Sequence, residues 1–343
     1  MGGKLLNAIK SFYRESRACV RVNRRESEWF DVKVGLRQGC VMSPWLFNIY
    51  MDGVVREVEV RARGKGAELS GEDGSRWEVS QLMFADDTAL VSDTEEGLGG
   101  LVKEFGRVCE RRLLRVNIGK SKVMKGSREG EKGNLNILLN GEKLEEVESF
   151  RYLGVDIRSD GSQGTEISHR VREGARVLGA LKSIWSKRSV SREAKLGMFE
   201  GIMVPTVMYG SECWALNARE KKKVDVIEMK CLRAISGVRW FDRRTNESVR
   251  ESFGERRRLL ERAEQSELSW FGHVVRMDEG RLVKRIYEAS VEGNRARGRP
   301  RRKWRDGVVS ALGSRGLDVH EGERQARERR SWKQVVRMRG QWG

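Results

Sequence analysis

Ligands for zinc are scarce in this chain. Of 343 residues only five are cysteine and three histidine. The cysteines stand at 19, 40, 109, 213 and 231, with no Cys-x-x-Cys pair, and the histidines at 169, 273 and 320, so no zinc finger can be written. The set of cysteines is odd in number and widely scattered. It fits reduced thiols inside a cell, in nucleus or cytoplasm. No apolar run approaches the ~20 residues of a membrane span, and no charged-then-apolar leader opens the sequence. A myristoylation signal would carry Ser or Thr where Leu6 stands. The sequon Asn246-Glu247-Ser248 reads as chance in a non-secreted chain. Hydrophobic residues make up 38%, enough for cores but low for a compact enzyme.

Positive charge is abundant. Lys and Arg total 68 against 50 Asp and Glu, a net charge of +18. Such an excess predicts association with a polyanion, weakened by salt through counterion release. The length allows two or three domains.

Within the apolar run 82–91 lie two adjacent carboxylates, Phe84-Ala85-Asp86-Asp87. Two carboxylates in a strand-like apolar stretch are costly to bury without a partner. A divalent cation with open positions for phosphate supplies one, and a β-hairpin would hold the pair at its tip. Upstream, Gly35-Leu36-Arg37-Gln38-Gly39-Cys40-Val41-Met42-Ser43-Pro44 reads as a glycine-bearing loop feeding a helix, with Ser43 as N-cap and Pro44 at the first helical position. Arg37 and Gln38 offer donors to phosphate, ribose or base, and Gly39 gives room for close approach. Downstream, Asn117-Ile118-Gly119-Lys120-Ser121-Lys122 sets two lysines after a turn, and Phe150–Ile157 reads as a short strand ending in a tight turn.

In this order the four segments resemble the reverse transcriptases of non-LTR (LINE-type) retrotransposons. The resemblance covers about the first 157 residues; a less specific likeness over 164–310 is to the thumb and C-terminal region of such elements. It implies an α+β fold: a partial right-hand polymerase palm, antiparallel sheet with helices, followed by an all-α thumb and a helical C-terminal region. The implied layout is palm 1–157, thumb-like helices 158–240, helical region 241–292, basic linker 293–305, and one C-terminal helix with a basic tail over 306–343. It implies RNA-directed DNA synthesis, with RNA template, DNA primer and dNTPs as partners and Mg2+ as cofactor in a two-metal site. Asp86 and Asp87 would be the metal ligands, and Lys120, with Lys122 as alternative, would stabilise charge or act as general acid near the pyrophosphate. Arg37, Gln38 and Gly39 would contact nucleotide or template. Tyr152, Leu153 and Gly154 would form the primer grip.

The family's palm also uses a carboxylate on a strand before the Arg37-Gln38-Gly39 loop. Here 2–9 already resembles the helix that follows that motif. Asp31 is the only aspartate before the loop, and it and Asp52 read as solvated surface. The expectation is a truncated polymerase with half an active site, inactive alone unless a complementing N-terminal polypeptide supplies the rest. The alternatives are a non-catalytic RNA- or DNA-binding remnant, a decayed insertion product without a role, and, within polymerases, a group II intron maturase, whose usual tail is not present.

Local signals predict helices over 4–15 and 43–63, a hairpin over 18–34, and the Asp-bearing hairpin over 77–91 with Phe84 in the core. Thr94 with Glu95 and Glu96 opens a helix to about Leu114 that buries Val102, Phe105 and Cys109. Asn140-Gly141 is a type I′ hairpin signal. Helices are expected over 165–186, 191–209 and 218–236. Their core faces are Val171, Leu178, Leu181 and Ile184; Met198, Ile202, Val207 and Met208; and Val224, Ile227, Cys231 and Ile235. Pro205 would kink the second. Two or three shorter helices, Leu259–Arg276 among them, fill 245–290. The block 293–305 carries Arg297, Arg299, Arg301, Arg302, Lys303 and Arg305, expected to grip phosphates with Trp304 stacking on a base; Trp304 in a helix core, or a nuclear-localisation role, is the other reading.

Overall fold

The computed structural model describes residues 3–71, 74–126, 133–290 and 302–340. Arg297, Arg299 and Arg301 lie outside them. The chain forms two compact units that interleave along the sequence. One comprises residues 1–67 and 79–116, the other 68–78 and 117–343.

The first unit begins with α1 (Gly3–Tyr13), whose side chains are not buried. Two nested antiparallel ladders follow: β1 (Arg17–Ala18) pairs with β4 (Phe30–Asp31), and β2 (Arg21–Val22) with β3 (Arg25–Glu26). Asn23 and Arg24, both with positive φ, turn the tip. This is the expected hairpin, but Phe30, Val32 and Val34 stay exposed. Helix α2 (Ser43–Arg61) comes next. The chain then leaves this unit for β5 (Ala67–Gly71) and β6 (Arg76–Val79) and returns with β7 (Gln81–Phe84), β8 (Asp87–Leu90) and α3 (Glu95–Arg111). The Asp-bearing hairpin is therefore shorter than expected, because 76–79 pairs in another sheet. Thr94 caps α3, its hydroxyl accepting from the Gly97 amide at 3.0 Å. Val54 and Val58 of α2 pack on Leu101, Phe105 and Val108 of α3, with Met83 and Leu90 of the hairpin against them. Cys109 belongs to this core, and burial pushes its thiol up to about 11.

In the second unit, β9 (Lys122–Val123) pairs in parallel with β12 (Glu145–Glu146), and β10 (Leu138–Leu139) pairs with β11 (Glu142–Lys143) around Asn140 and Gly141. Both turn residues have positive φ, as a type I′ turn requires. Next come β13 (Ser149–Tyr152) and β14 (Val155–Arg158), an antiparallel hairpin. Eight helices are described after it: α4 (Gly164–Trp185), α5 (Arg192–Met198), α6 (Val204–Val207), α7 (Ala218–Ser236), α8 (Asn246–Glu251), α9 (Leu259–Val275) and α10 (Leu282–Glu288) precede the short strand β15 (Ala289–Ser290), and α11 (Trp304–Gly313) follows it. Two more, α12 (Val319–Arg327) and α13 (Arg329–Arg337), complete the unit. Residues 306–343 thus hold no single helix. Gly316, with positive φ, follows the end of α11, and Asp318 caps α12.

One core gathers Ile167 and Trp185 of α4, Met203, Val207, and Val224, Ile227, Cys231 and Ile235 of α7. Leu268 and Phe271 of α9, Leu312 of α11, and Trp332 and Val335 of α13 make another. Asn217 and Glu220 cap α7 reciprocally, and Gly237 ends it in the left-handed region. Between α5 and α6 the helix opens into a π turn, Phe199–Met203, just before Pro205. The expected kink is this wide turn, and it changes the buried face. Phe199, Met203 and Val207 are inside, whereas Ile202 is 47% exposed. The strands make seven small sheets, of at most three strands among the described residues, so the fold is mixed helix and sheet.

Candidate active site

Asp86 and Asp87 sit at the tip of the β7–β8 hairpin, and both are exposed. Phe84 pairs with Asp87, leaving Ala85 and Asp86 as a two-residue turn. Ala85 has φ +53 and Asp86 does not have positive φ, the sign pattern of a type II′ turn. That first position favours glycine, so alanine there carries backbone strain. One face of the hairpin, Met83 and Leu90, packs on the helices, and the Gln81 amide donates to the Val55 carbonyl of α2 at 3.0 Å. Phe84 shares the opposite face with Asp87 and is 65% exposed, not core. Strand alternation sends it away from the helices.

The Arg37-Gln38-Gly39 loop is tied down locally. Arg37 donates to Ser16 Oγ from Nε (3.3 Å) and Nη2 (2.8 Å), and its guanidinium lies over the Tyr13 ring. Ser43 does not cap α2. Its hydroxyl donates to the Arg37 carbonyl at 2.8 Å and meets the Tyr13 hydroxyl at 3.0 Å, while Met42 precedes the helix without a side-chain cap. Gln38 and Gly39 are exposed, with Gly39 at φ +82.

The remaining predicted residues belong to the second unit. Lys120 closes a 3-10 turn capped by Asn117, whose Oδ1 accepts from the Lys120 amide at 3.1 Å. Its ammonium meets no carboxylate among the described residues, whereas that of Lys122 is bound to Glu145 at 2.6 Å. Tyr152, Leu153 and Gly154 are at the β13–β14 hairpin, a two-stranded unit in place of the single strand expected. Leu153 and Gly154 form the turn, with φ +50 and +80.

That turn is held by residues the sequence did not single out. Arg170 of α4 donates to the Gly154 carbonyl and, from Nε, to Glu166 at 2.5 Å. The second oxygen of Glu166 accepts from the Asp156 amide at 2.8 Å. Tyr209 donates to the Leu153 carbonyl at 2.9 Å, and Arg170 Cζ lies 4.7 Å from its ring centroid. In sequence, Glu166 and Arg170 are an ordinary i, i+4 pair.

Of the basic block, Lys303 and Arg305 are exposed and Arg302 is half-buried. Trp304 is half-buried too. Its indole N–H donates to the Glu212 carbonyl at 2.8 Å and its ring meets Tyr287 edge-on. It is engaged in packing rather than presented to a base. Arg302 acts at a buried carboxylate, Glu267 of α9. Burial first, then the Glu264 carboxylate, push Glu267 up to about 8, against the opposing pull of Arg302 and Lys221. A raised native pKa means the folded state holds this proton more tightly. Its stabilising effect is full below the ordinary value of 4.5 and is lost as pH rises through about 8. Tm is expected to fall across that window, and Glu267→Gln to flatten the fall. An unchanged Tm–pH curve in the variant would show that another group titrates.

The donor set at the hairpin tip suits a hard cation, since Mg2+ takes one or two carboxylates and completes its shell with water and phosphate. Among the described residues no three His, Cys, Asp or Glu side chains gather as a metal site. No helix there is long and apolar enough to cross a membrane.

The sequence profile of the reverse transcriptase (RNA-dependent DNA polymerase) family matches residues 3–157, a little under half of the chain. A transposon-derived protein of Caenorhabditis elegans is 24% identical over 267 residues, which cover 76% of this chain and 95% of the relative. The RNA-directed DNA polymerase from mobile element jockey of Drosophila melanogaster is 24% identical over 70% of this chain. The Pol polyprotein from type-1 retrotransposable element R2 of Nasonia vitripennis is 27% identical over 67%. Over the matched residues the chain is similar to the RNA-directed DNA polymerases of such mobile elements. It spans only 26% and 22% of the length of these last two relatives.

Proposed function

We propose that this chain is part of an RNA-directed DNA polymerase, with residues 1–157 as partial palm, 158–240 as thumb and 241–292 as a further helical region. The observation that carries the reading is the hairpin tip: two adjacent exposed carboxylates, Asp86 and Asp87, on strands anchored to α2 and α3 by their other face. These two would hold Mg2+, which when bound supplies charge neutralisation at the reacting phosphate. Lys120 would stabilise charge on, or protonate, the departing pyrophosphate. Arg37, Gln38 and Gly39 would face nucleotide or template, the Arg37 backbone being fixed through Ser43. Tyr152, Leu153 and Gly154 would place the primer 3′ end, on a turn made rigid by Arg170 and Tyr209. RNA template, DNA primer and dNTPs are the implied partners.

Two carboxylates are fewer than the three a right-hand palm uses. Residues 1–343 taken by themselves are therefore expected to bind nucleic acid without extending a primer, unless a further segment or polypeptide supplies the third. The net charge of +18 favours this binding-only behaviour as the second reading. Purified 1–343 with Mg2+, dNTPs and a primed RNA template should give no extension yet still retard the primed template in a gel, as should Asp86→Asn. Extension by the parent but not by Asp86→Asn would show that the chain completes its own site. Loss of both extension and binding would sink the nucleic-acid reading.

A further inference from the structure

The second unit contains a cleft of about 700 Å³ between the β15-β5-β6 sheet and helices α9 to α12. Five cations and three carboxylates line it. Two of the carboxylates are already used, Glu288 by Lys284 at 2.8 Å and Glu323 by the Tyr287 hydroxyl at 2.9 Å. Arg76, Arg285, Arg305 and Arg327 have no carboxylate within ion-pair distance among the described residues. Two of these guanidiniums lie over aromatic faces instead. Arg285 Cζ is 5.8 Å from the Trp77 centroid, and Arg305 Cζ is 5.5 Å from that of Tyr287. The Trp77 indole N–H has no acceptor among the described residues.

Unneutralised guanidiniums seek a polyanion, and planar guanidinium groups suit phosphate. Aromatic faces beside them suit an unpaired base, which stacks without regard to its identity. A duplex hides its base faces, and an acidic peptide would leave Trp77 unused. The volume is that of a small-ligand site, with room for a base and its neighbouring phosphates. The role first read into Trp304 passes to Trp77, because Trp304 is committed to packing.

We propose that this cleft binds single-stranded nucleic acid, with a base stacked at the Trp77–Arg285 pair and phosphates held by Arg285, Arg305 and Arg327. The inference rests on the nucleic-acid reading for its choice of ligand and does not require polymerisation. The probe is a fluorescein-labelled oligouridine of about 12 nucleotides, bound to the full chain without dNTPs or divalent ion and followed by anisotropy over a salt series. Trp77→Leu is expected to weaken binding on the order of tenfold, and Trp77→Phe to keep most of the affinity. Arg285→Gln combined with Arg305→Gln should lower the salt slope by about 1.4, the value for two lost phosphates on a single strand. The duplex form of the probe should be indifferent to Trp77→Leu. Because both arginines are exposed, their double variant carries the test should Trp77→Leu fail to fold. The assay holds neither dNTP nor divalent ion and reads binding alone, so failure here is separable from failure of the polymerase reading. Unchanged affinity and slope in these variants, or displacement of the probe by polyglutamate as readily as by unlabelled RNA, would overturn the proposal.

Discussion

Arg170→Ala is expected to destabilise the second unit by about 3–5 kcal/mol, the scale on which a buried ion pair fails when one partner is removed. The side chains of Arg170 and Glu166 are only 8% and 3% exposed. Without the guanidinium, Glu166 keeps the Asp156 amide but loses its counter-charge in a place water scarcely reaches. The Gly154 carbonyl also loses a donor, and the Tyr209 ring its cation. Arg170→Lys should rescue little, because a single ammonium cannot serve both Glu166 and the hairpin turn as a fork does. Replacing both partners by methionine should cost far less than the single alanine. Urea unfolding followed by circular dichroism checks all three. A loss below about 1 kcal/mol for Arg170→Ala, the range of exposed pairs, would mean that solvent already compensates this pair. The functional corollary is that the 153–154 turn would lose its fixed position before the fold is lost.

The second large effect is expected at Gly272. A Cβ there would come within 2.0 Å of Trp332 Nε1 and 2.3 Å of Cδ1. This indole is buried against Phe271 and donates to the Leu268 carbonyl at 2.9 Å. Gly272→Ala must push the ring away, which overpacks the site and pulls the N–H from its acceptor. Alanine in a helix recovers about 1 kcal/mol of propensity. Against it stand about 1–3 kcal/mol for overpacking and about 1–3 kcal/mol for a buried donor left unpaired. The net expectation is a lower denaturation midpoint, relieved by adding Trp332→Phe, which removes the N–H and narrows the ring. A stabilised Gly272→Ala would show that α13 is free to shift.

Elements with strong local signals were legible. Thr94 and the Asn140-Gly141 turn each fix a boundary through contacts within a few residues, so the chain states them directly. The carboxylate pair was legible for the same reason, since a two-residue turn places Asp86 at the tip. What failed depends on tertiary neighbours. Alternation showed that Phe84 and Met83 face opposite ways but not which face the helices cover. A helical period of 3.6 assigned Ile202 to the core, whereas the π turn keeps Phe199, Met203 and Val207 in line at intervals of four. Glu166 and Arg170 have the spacing of a solvated pair, and only the packing of the hairpin on α4 reveals their burial. Trp304 among cations resembled a stacking residue until its N–H was found on Glu212.

The pairing of β15 with β5 has a consequence for biosynthesis. Gly71 faces Ala289 and Ser70 faces Ser290, so one ladder joins an early segment to a very late one. Closing such a loop carries an entropic cost on the order of 5 kcal/mol. On a ribosome, the strand at 67–71 must wait with this edge unpaired until residues 289–290 have been made. Unpaired edges recruit other strands. Nascent chains halted before residue 289 should therefore be prone to aggregation, and the completed chain far less so.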